Sequence, residues 1–150
     1  MKSSWPKHPD LNCIHDFSDW LAESNQHTNR IYRGQAKSCW ALQTSLDRHL
    51  QKIRIIRFEE KRRIEKEFIA EFRCKARKYL GDREKALLRD EDIIGSMTVM
   101  QHFGVPTRLL DWTKFGAMAA FCACIDCEDR DGAIWWVEED AIVDSVHNEW

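Results

Sequence analysis

Six polar side chains lie close together in the stretch QHFGVPTRLLDWT at residues 101–113, and five of them are candidates for a site: Gln101, His102, Arg108, Asp111 and Thr113. An arginine makes charge-assisted, two-pronged hydrogen bonds to phosphate or carboxamide oxygens. A carboxylate stabilises developing positive charge, and a histidine exchanges protons near neutral pH. These residue types are typical of a site that binds a ligand or reacts with it.

A further candidate, Arg33, lies in the segment RIYRGQ at residues 30–35, a β-branched and aromatic run that predicts a strand. Gly34 follows it, and a residue without a side chain allows the backbone to approach a ligand closely. The catalytic candidates are Arg33, Asp111 and His102. The ligand-contacting candidates are Gly34, Gln35, Gln101, Arg108 and Thr113.

Each of these side chains also has a structural alternative, which the sequence leaves open. Arg33 and Asp111 are able to form a buried ion pair, whose loss typically costs about 3–5 kcal/mol. Arg108 is able to satisfy carbonyl groups at a helix end, and His102 is able to cap a helix whose dipole favours its proton. Thr113 is a suitable N-cap for the apolar helix that follows it.

Hydrophobic periodicity predicts the elements that position these residues. Helices are expected at 16–24, at 58–80, from Asp90 or Asp92 to Gly104, and at 114–125, and strands at 30–35, 107–112 and 133–137. In the strand at 107–112, alternation places Arg108 and Asp111 on opposite faces. The irregular order predicts an α+β fold, a single domain over residues 1–150 with a small mixed or antiparallel sheet and several packed helices.

Length and charge limit the classes of function. The net charge is −2, and the longest apolar run, residues 115–125, is too short to span a membrane. The amino terminus lacks the apolar core of a signal peptide, so we expect a cytoplasmic protein without a membrane partner. Residues 47–90 carry 15 Lys and Arg against 9 Asp and Glu. This segment is either a nucleic-acid contact or a solvated helix face.

Six cysteines are present, three of them in a C-x-C-x-x-C pattern at residues 122–127. On a helix Cys124 and Cys127 share a face, whereas Cys122 points nearly the opposite way. A zinc site needs further ligands, and no second cluster provides them. We therefore expect reduced, small core residues and no metal.

Three segments together resemble the FRG domain, a bacterial and phage-associated family named for its Phe-Arg-Gly stretch. They are IYRGQ, LQTSLDRHL and QHFGVPTRLLDWT followed by an alanine-rich helix, and the resemblance runs over about residues 10–139. Tyr32 stands where the family usually has Phe, and Thr44 stands where it commonly has Pro. The family has no settled activity, but its setting implies bacterial stress or phage defence.

The order of motifs is also similar to that of ADP-ribosyltransferases, in which Arg-Gly or His-Gly ends the first strand and a catalytic Glu comes last. The resemblance implies NAD or another nucleotide as ligand and an ADP-ribosyltransferase-like fold. Glu138 and Glu139 come too early for that Glu, and no strand pattern surrounds Asp144 or Glu149. Either the carboxylate lies beyond residue 150, or Asp111 replaces it, or the domain is a non-catalytic module for nucleic acid, protein or an accessory role.

Overall fold

The computed structural model describes residues 10–55, 57–125 and 129–142. The named elements, in chain order, are α1 (Ile14–Ser24), β1 (Arg30–Gln35), α2 (Ser45–Lys52), α3 (Phe58–Ala76), α4 (Asp82–Leu87), α5 (Ile93–His102), α6 (Gly116–Cys124) and β2 (Ala133–Glu138). Residues 139–142 are also helical. The fold is α+β with an antiparallel sheet, as the sequence predicts. Two compact units are present: a first unit of residues 1–40 and 111–150, and a second unit of residues 41–110.

The first unit is built around β1. Its partner β2 runs antiparallel to it, with Arg30 opposite Glu138 and Gln35 opposite Ala133. Tyr32 also exchanges two backbone hydrogen bonds with Thr113, at 2.7 and 2.8 Å. Because alternate residues of a strand direct their backbone groups to opposite edges, this short bridge borders β1 on the edge that β2 leaves open.

Helix α6 packs against β1 through small side chains, as predicted from its composition. Its buried residues are Gly116, Ala119, Ala120 and Ala123. A Cβ atom placed on Gly34 would overlap the carbonyl group of Ala119 and lie 2.8 Å from Ala123 N. The close approach of helix and strand therefore requires glycine at position 34.

The second unit has an apolar core between α3 and α5. One cluster of buried side chains consists of Ile69, Met97 and Met100, and a second consists of Leu80, Leu88 and Val99. Asp92 caps α5 by accepting a 2.7 Å hydrogen bond from Gly95 N. Gly104 follows α5 with a φ of +76°, a left-handed conformation that glycine adopts without strain.

The predicted strand at 107–112 is wrong. Residues 105–112 form no strand, because the backbone of Thr107 bonds to the start of α2 instead of to a neighbouring strand. Its carbonyl oxygen accepts from Leu46 N and from Ser45 Oγ, and its N–H donates to Ser45 Oγ, all at 3.0 Å. The helices α2 and α4 were not predicted, since neither of them is long enough to show a clear apolar period.

Two predictions about burial are also wrong. Cys122 and Cys124 are exposed rather than core residues, because the sheet-facing side of α6 is occupied by its alanines. Cys127 lies outside the described residues. The spacing of Ile94 and Met97 predicts that both face the core, but Ile94 is 68% exposed. No helix in the part of the chain that the structure describes is long and apolar enough to cross a membrane.

Candidate functional site

Arg33 and Asp111, the two principal candidates, are brought together in the first unit. The guanidinium Nη1 of Arg33 donates a 2.8 Å hydrogen bond to the main-chain carbonyl oxygen of Asp111. The backbone bridge between Tyr32 and Thr113 positions residues 111–113 beside β1 and thereby sets this contact. Asp111 is exposed, so an ion pair between these two residues would not be fully buried. The arrangement places a half-buried guanidinium next to a solvent-facing carboxyl residue.

Gly34 and Gln35, predicted to contact a ligand, have packing roles in the same unit. Gly34 allows α6 to approach β1, as described above. The buried side chain of Gln35 donates from Nε2 to the carbonyl oxygens of Lys37 at 3.2 Å and Trp40 at 2.9 Å. These bonds satisfy a buried amide and fix the chain after β1.

Thr113 completes the group in the first unit but is not the predicted N-cap. With Thr113 as N-cap, α6 would begin at residue 114. It begins instead at Gly116, with Phe115 as its N-cap. The hydroxyl oxygen of Thr113 instead accepts a 3.1 Å hydrogen bond from Phe115 N.

Arg108, in the second unit, pairs with a residue that the sequence did not indicate. Its guanidinium makes two hydrogen bonds from Nε and Nη2 to the carboxylate of Glu65, whose side chain is 10% exposed. The partner is neither a helix-end carbonyl group nor Asp111. Glu65 lies on α3 one turn after Lys61, which donates a 2.6 Å hydrogen bond to Asp47.

The carboxyl group of Asp47, in the second unit, has a lowered pKa. Burial alone would raise the pKa of its carboxyl group, but hydrogen bonds from Lys61 and Thr44 outweigh that effect and hold the pKa below its usual value. The positive charge of Arg108 acts in the same direction. These charges stabilise the ionised form of Asp47, and the bond from Lys61 to Asp47 joins α2 to α3.

Gln101 and His102 occupy the last turn of α5. The Oε1 atom of Gln101 accepts a 2.8 Å hydrogen bond from the hydroxyl of Thr107, which is 1% exposed. The side chain of His102 is exposed, and its ring lies edge-on to Phe103 with 5.1 Å between the centroids. Gln101 thus stabilises the turn after α5, whereas His102 faces solvent.

The eight predicted residues consequently divide between the two units. Those of the first unit are Arg33, Gly34, Gln35, Asp111 and Thr113, and those of the second unit are Gln101, His102 and Arg108. The first group contains one close contact between two catalytic candidates, Arg33 and Asp111. The second group contains the two polar contacts described above, with Thr107 and Glu65.

The glutamates at the end of β2 are engaged in ion pairs of the first unit. Glu138 lies 3.8 Å from Nε of Arg30, whose guanidinium also lies 4.0 Å above the ring of Trp136. Glu139 accepts a 3.0 Å hydrogen bond from Lys114. The other two carboxylate candidates, Asp144 and Glu149, lie outside the described residues. Among residues 10–55, 57–125 and 129–142, no group of three His, Cys, Asp or Glu is placed to hold a metal ion.

A family model of the FRG domain matches residues 28–132, which include β1, the 101–113 segment and α6. The chain belongs to the FRG domain family. The match is shorter at both ends than the 10–139 expected from the motifs, and it includes residues of both units. None of the curated proteins or solved structures compared with this FRG domain matches it.

In the basic segment of the FRG domain, residues 47–90, part of the positive charge is paired with neighbouring acids. On α3, Arg63 lies 3.4 Å from Glu67, and Lys75 lies 2.5 Å from Glu71. Arg73 is directed away from solvent and donates to backbone carbonyl groups before α5. Pairing of this kind favours a solvated helix face over a polyanion-binding stripe.

Proposed function

We propose that the first unit of this FRG domain binds a nucleotide of the NAD type at Arg33, Asp111 and Thr113. The observation that supports the proposal best is the hydrogen bond from Arg33 to the main chain of Asp111. It orients a guanidinium beside an exposed carboxyl residue, and its acceptor is the main-chain oxygen rather than the carboxylate. Oriented cations with several donors are the usual partners of phosphate groups.

Each of the three side chains has a chemical role in the proposal. The guanidinium of Arg33 is held in place by its bond to the Asp111 main chain, and in the proposal it anchors a diphosphate through charge-assisted hydrogen bonds. The hydroxyl oxygen of Thr113 accepts from Phe115 N, which leaves its O–H to donate to a ribose oxygen. Asp111 faces solvent and carries the negative charge of the site.

The related activity would be ADP-ribosyl transfer. In that reaction the bond between the nicotinamide nitrogen and the ribose carbon breaks, nicotinamide leaves, and a nucleophile takes its place on the ribose. A carboxylate close to the ribose stabilises the cationic sugar that forms in the transition state. We assign this role to Asp111, because it is the exposed carboxyl residue beside Arg33. The setting we propose is bacterial stress or phage defence.

The test is calorimetric titration of NAD into the native chain and into Arg33→Ala. We expect the variant to bind about 10- to 100-fold more weakly, because a hydrogen bond to a charged group contributes about 1.5–3 kcal/mol. Arg63→Ala is the matched control, since it also removes one positive charge and its side chain is 69% exposed on α3. Circular dichroism must show that all three proteins are folded. Equal NAD affinity of native protein and Arg33→Ala, or no binding by the folded native protein, contradicts the proposal.

A further inference from the structure

An apolar groove of about 430 Å³ runs along α3 in the second unit. Its floor is made by Phe68, Phe72, Ala76 and Val105, and Tyr79 stands at one end of it. Phe68, Phe72 and Val105 pack against the core below, so the groove is part of the folded surface of this unit. We call this surface, together with the rim residues Glu71 and Lys75, the α3 groove.

Tyr79 lines the α3 groove and projects from its surface into solvent. It lies in the turn after α3 and is 77% exposed. A protruding aromatic ring and an apolar hollow on one surface fit each other when two copies of that surface meet about a two-fold axis. In such a pair, Tyr79 of each copy enters the groove of the other next to Phe68.

The charges on the rim indicate the same two-fold axis. Glu71 and Lys75 lie 2.5 Å apart on the exposed side of α3. When two α3 helices run antiparallel about an axis at residue 73, each Glu71 faces Lys75 of the second copy. Tyr79, in the turn after α3, and Phe68 lie on either side of this axis, about equally far from residue 73 along the sequence. The aromatic and the charged contacts therefore form in one register.

We propose that the α3 groove is the interface of a two-fold dimer of this chain, with antiparallel α3 helices. One helix pair buries less area than a standard interface, so we expect weak association, with a Kd of about 10–100 µM. The contact lies wholly in the second unit and does not depend on nucleotide binding at Arg33.

The experiment is sedimentation equilibrium on Glu71→Lys and Lys75→Glu, alone and mixed. Each variant alone places like charges opposite each other twice per dimer, which should weaken dimerisation about tenfold or more. A mixture of the two variants places Lys opposite Glu at both contacts, so it should form heterodimers with nearly native affinity. Arg63→Glu, an exposed charge reversal two turns before Glu71 on α3, is the control and should leave dimerisation unchanged.

Tyr79→Ala provides an independent measurement on the same surface. It removes the ring that fills the groove while leaving the monomer core intact, because Tyr79 is mostly exposed, and it should also weaken the dimer about tenfold or more. A native chain that stays monomeric at about 500 µM overturns the proposal, and the groove then receives a different partner. Failure of the two charge variants to associate when mixed, with a dimeric native chain, equally overturns it.

Discussion

Replacing Gly34 by alanine tests why the glycine of the family motif is needed. The new Cβ atom would overlap the Ala119 carbonyl group and lie 2.8 Å from Ala123 N. Both neighbours are helix backbone, which cannot rotate away as a side chain can, so α6 must shift from β1. Overpacking typically costs about 1–3 kcal/mol, and we expect about 3 kcal/mol here. For a chain of this length that corresponds to a fall in Tm of about 6–12 °C.

Urea denaturation followed by circular dichroism measures this free energy of unfolding. Gly81→Ala is the matched control, because the same added methyl group meets only the flexible carboxylate of Glu84. It should change stability by less than about 1 kcal/mol. If Gly34→Ala is as stable as the control, close packing of α6 on β1 does not explain the glycine, and approach of a ligand to the backbone becomes the better account.

Three further predictions concern the second unit. Glu65→Ala should lower the free energy of unfolding by about 1–3 kcal/mol, because it removes charged hydrogen bonds to a half-exposed Arg108. A double-mutant cycle in which the destabilisations by Glu65→Ala and Arg108→Ala simply add would contradict this. The pKa of Asp47 in the folded state lies below its unfolded value of about 3.9. The stability that ionised Asp47 contributes is therefore fully present above that pH and is lost as the pH falls through the folded-state pKa. Asp47→Asn should make the free energy of unfolding fall less steeply with decreasing pH in this range, and an unchanged fall would refute the prediction. Binding of RNA or DNA should be weak, because part of the positive charge of residues 47–90 is paired with acids on α3. Strong binding that is lost steeply with added salt would show instead a phosphate-binding surface.

Where the sequence pattern was strong, the structure could be predicted well. The run RIYRGQ forms β1 over the expected residues, and the alanine-rich segment forms the helix packed on it. The four-residue apolar period correctly predicts α3 from Phe58, although the helix ends at Ala76 rather than Leu80. These elements follow local rules of alternation and period, which need no knowledge of distant partners.

The errors arose where distant residues decide the local structure. The sequence of residues 107–112 predicts a short strand, but the backbone N–H and carbonyl groups of Thr107 both hydrogen-bond to the hydroxyl of Ser45, 62 residues earlier. The partner of Arg108 is Glu65, on a turn of α3 that looks from its sequence like part of a charged outer face. One signal was available for α2, since Thr44 and Asp47 have the spacing of a helix N-cap and its third residue, and Asp47 N donates to Thr44 Oγ1 at 3.1 Å.

The candidate site could be predicted in part for the same reason. The neighbourhood of Arg33 and Asp111 was expected from the order of motifs, and the first unit brings them into contact. That the contact uses the Asp111 main chain could not be read from residue types, because it depends on the bridge between Tyr32 and Thr113. The role of the site in binding remains a prediction.

The most direct test of the nucleotide site measures two properties of Asp111→Asn: its NAD affinity, by calorimetric titration, and its rate of nicotinamide release from NAD. Asparagine keeps the main-chain carbonyl group that accepts from Arg33, so the arginine stays oriented and only the charge of residue 111 is lost. If Asp111 supports the cationic sugar only in the transition state, the variant should bind NAD with an affinity close to native but release nicotinamide at least about 100-fold more slowly. Nicotinamide release at the native rate by folded Asp111→Asn, or a folded native protein that neither binds nor cleaves NAD, would contradict the account.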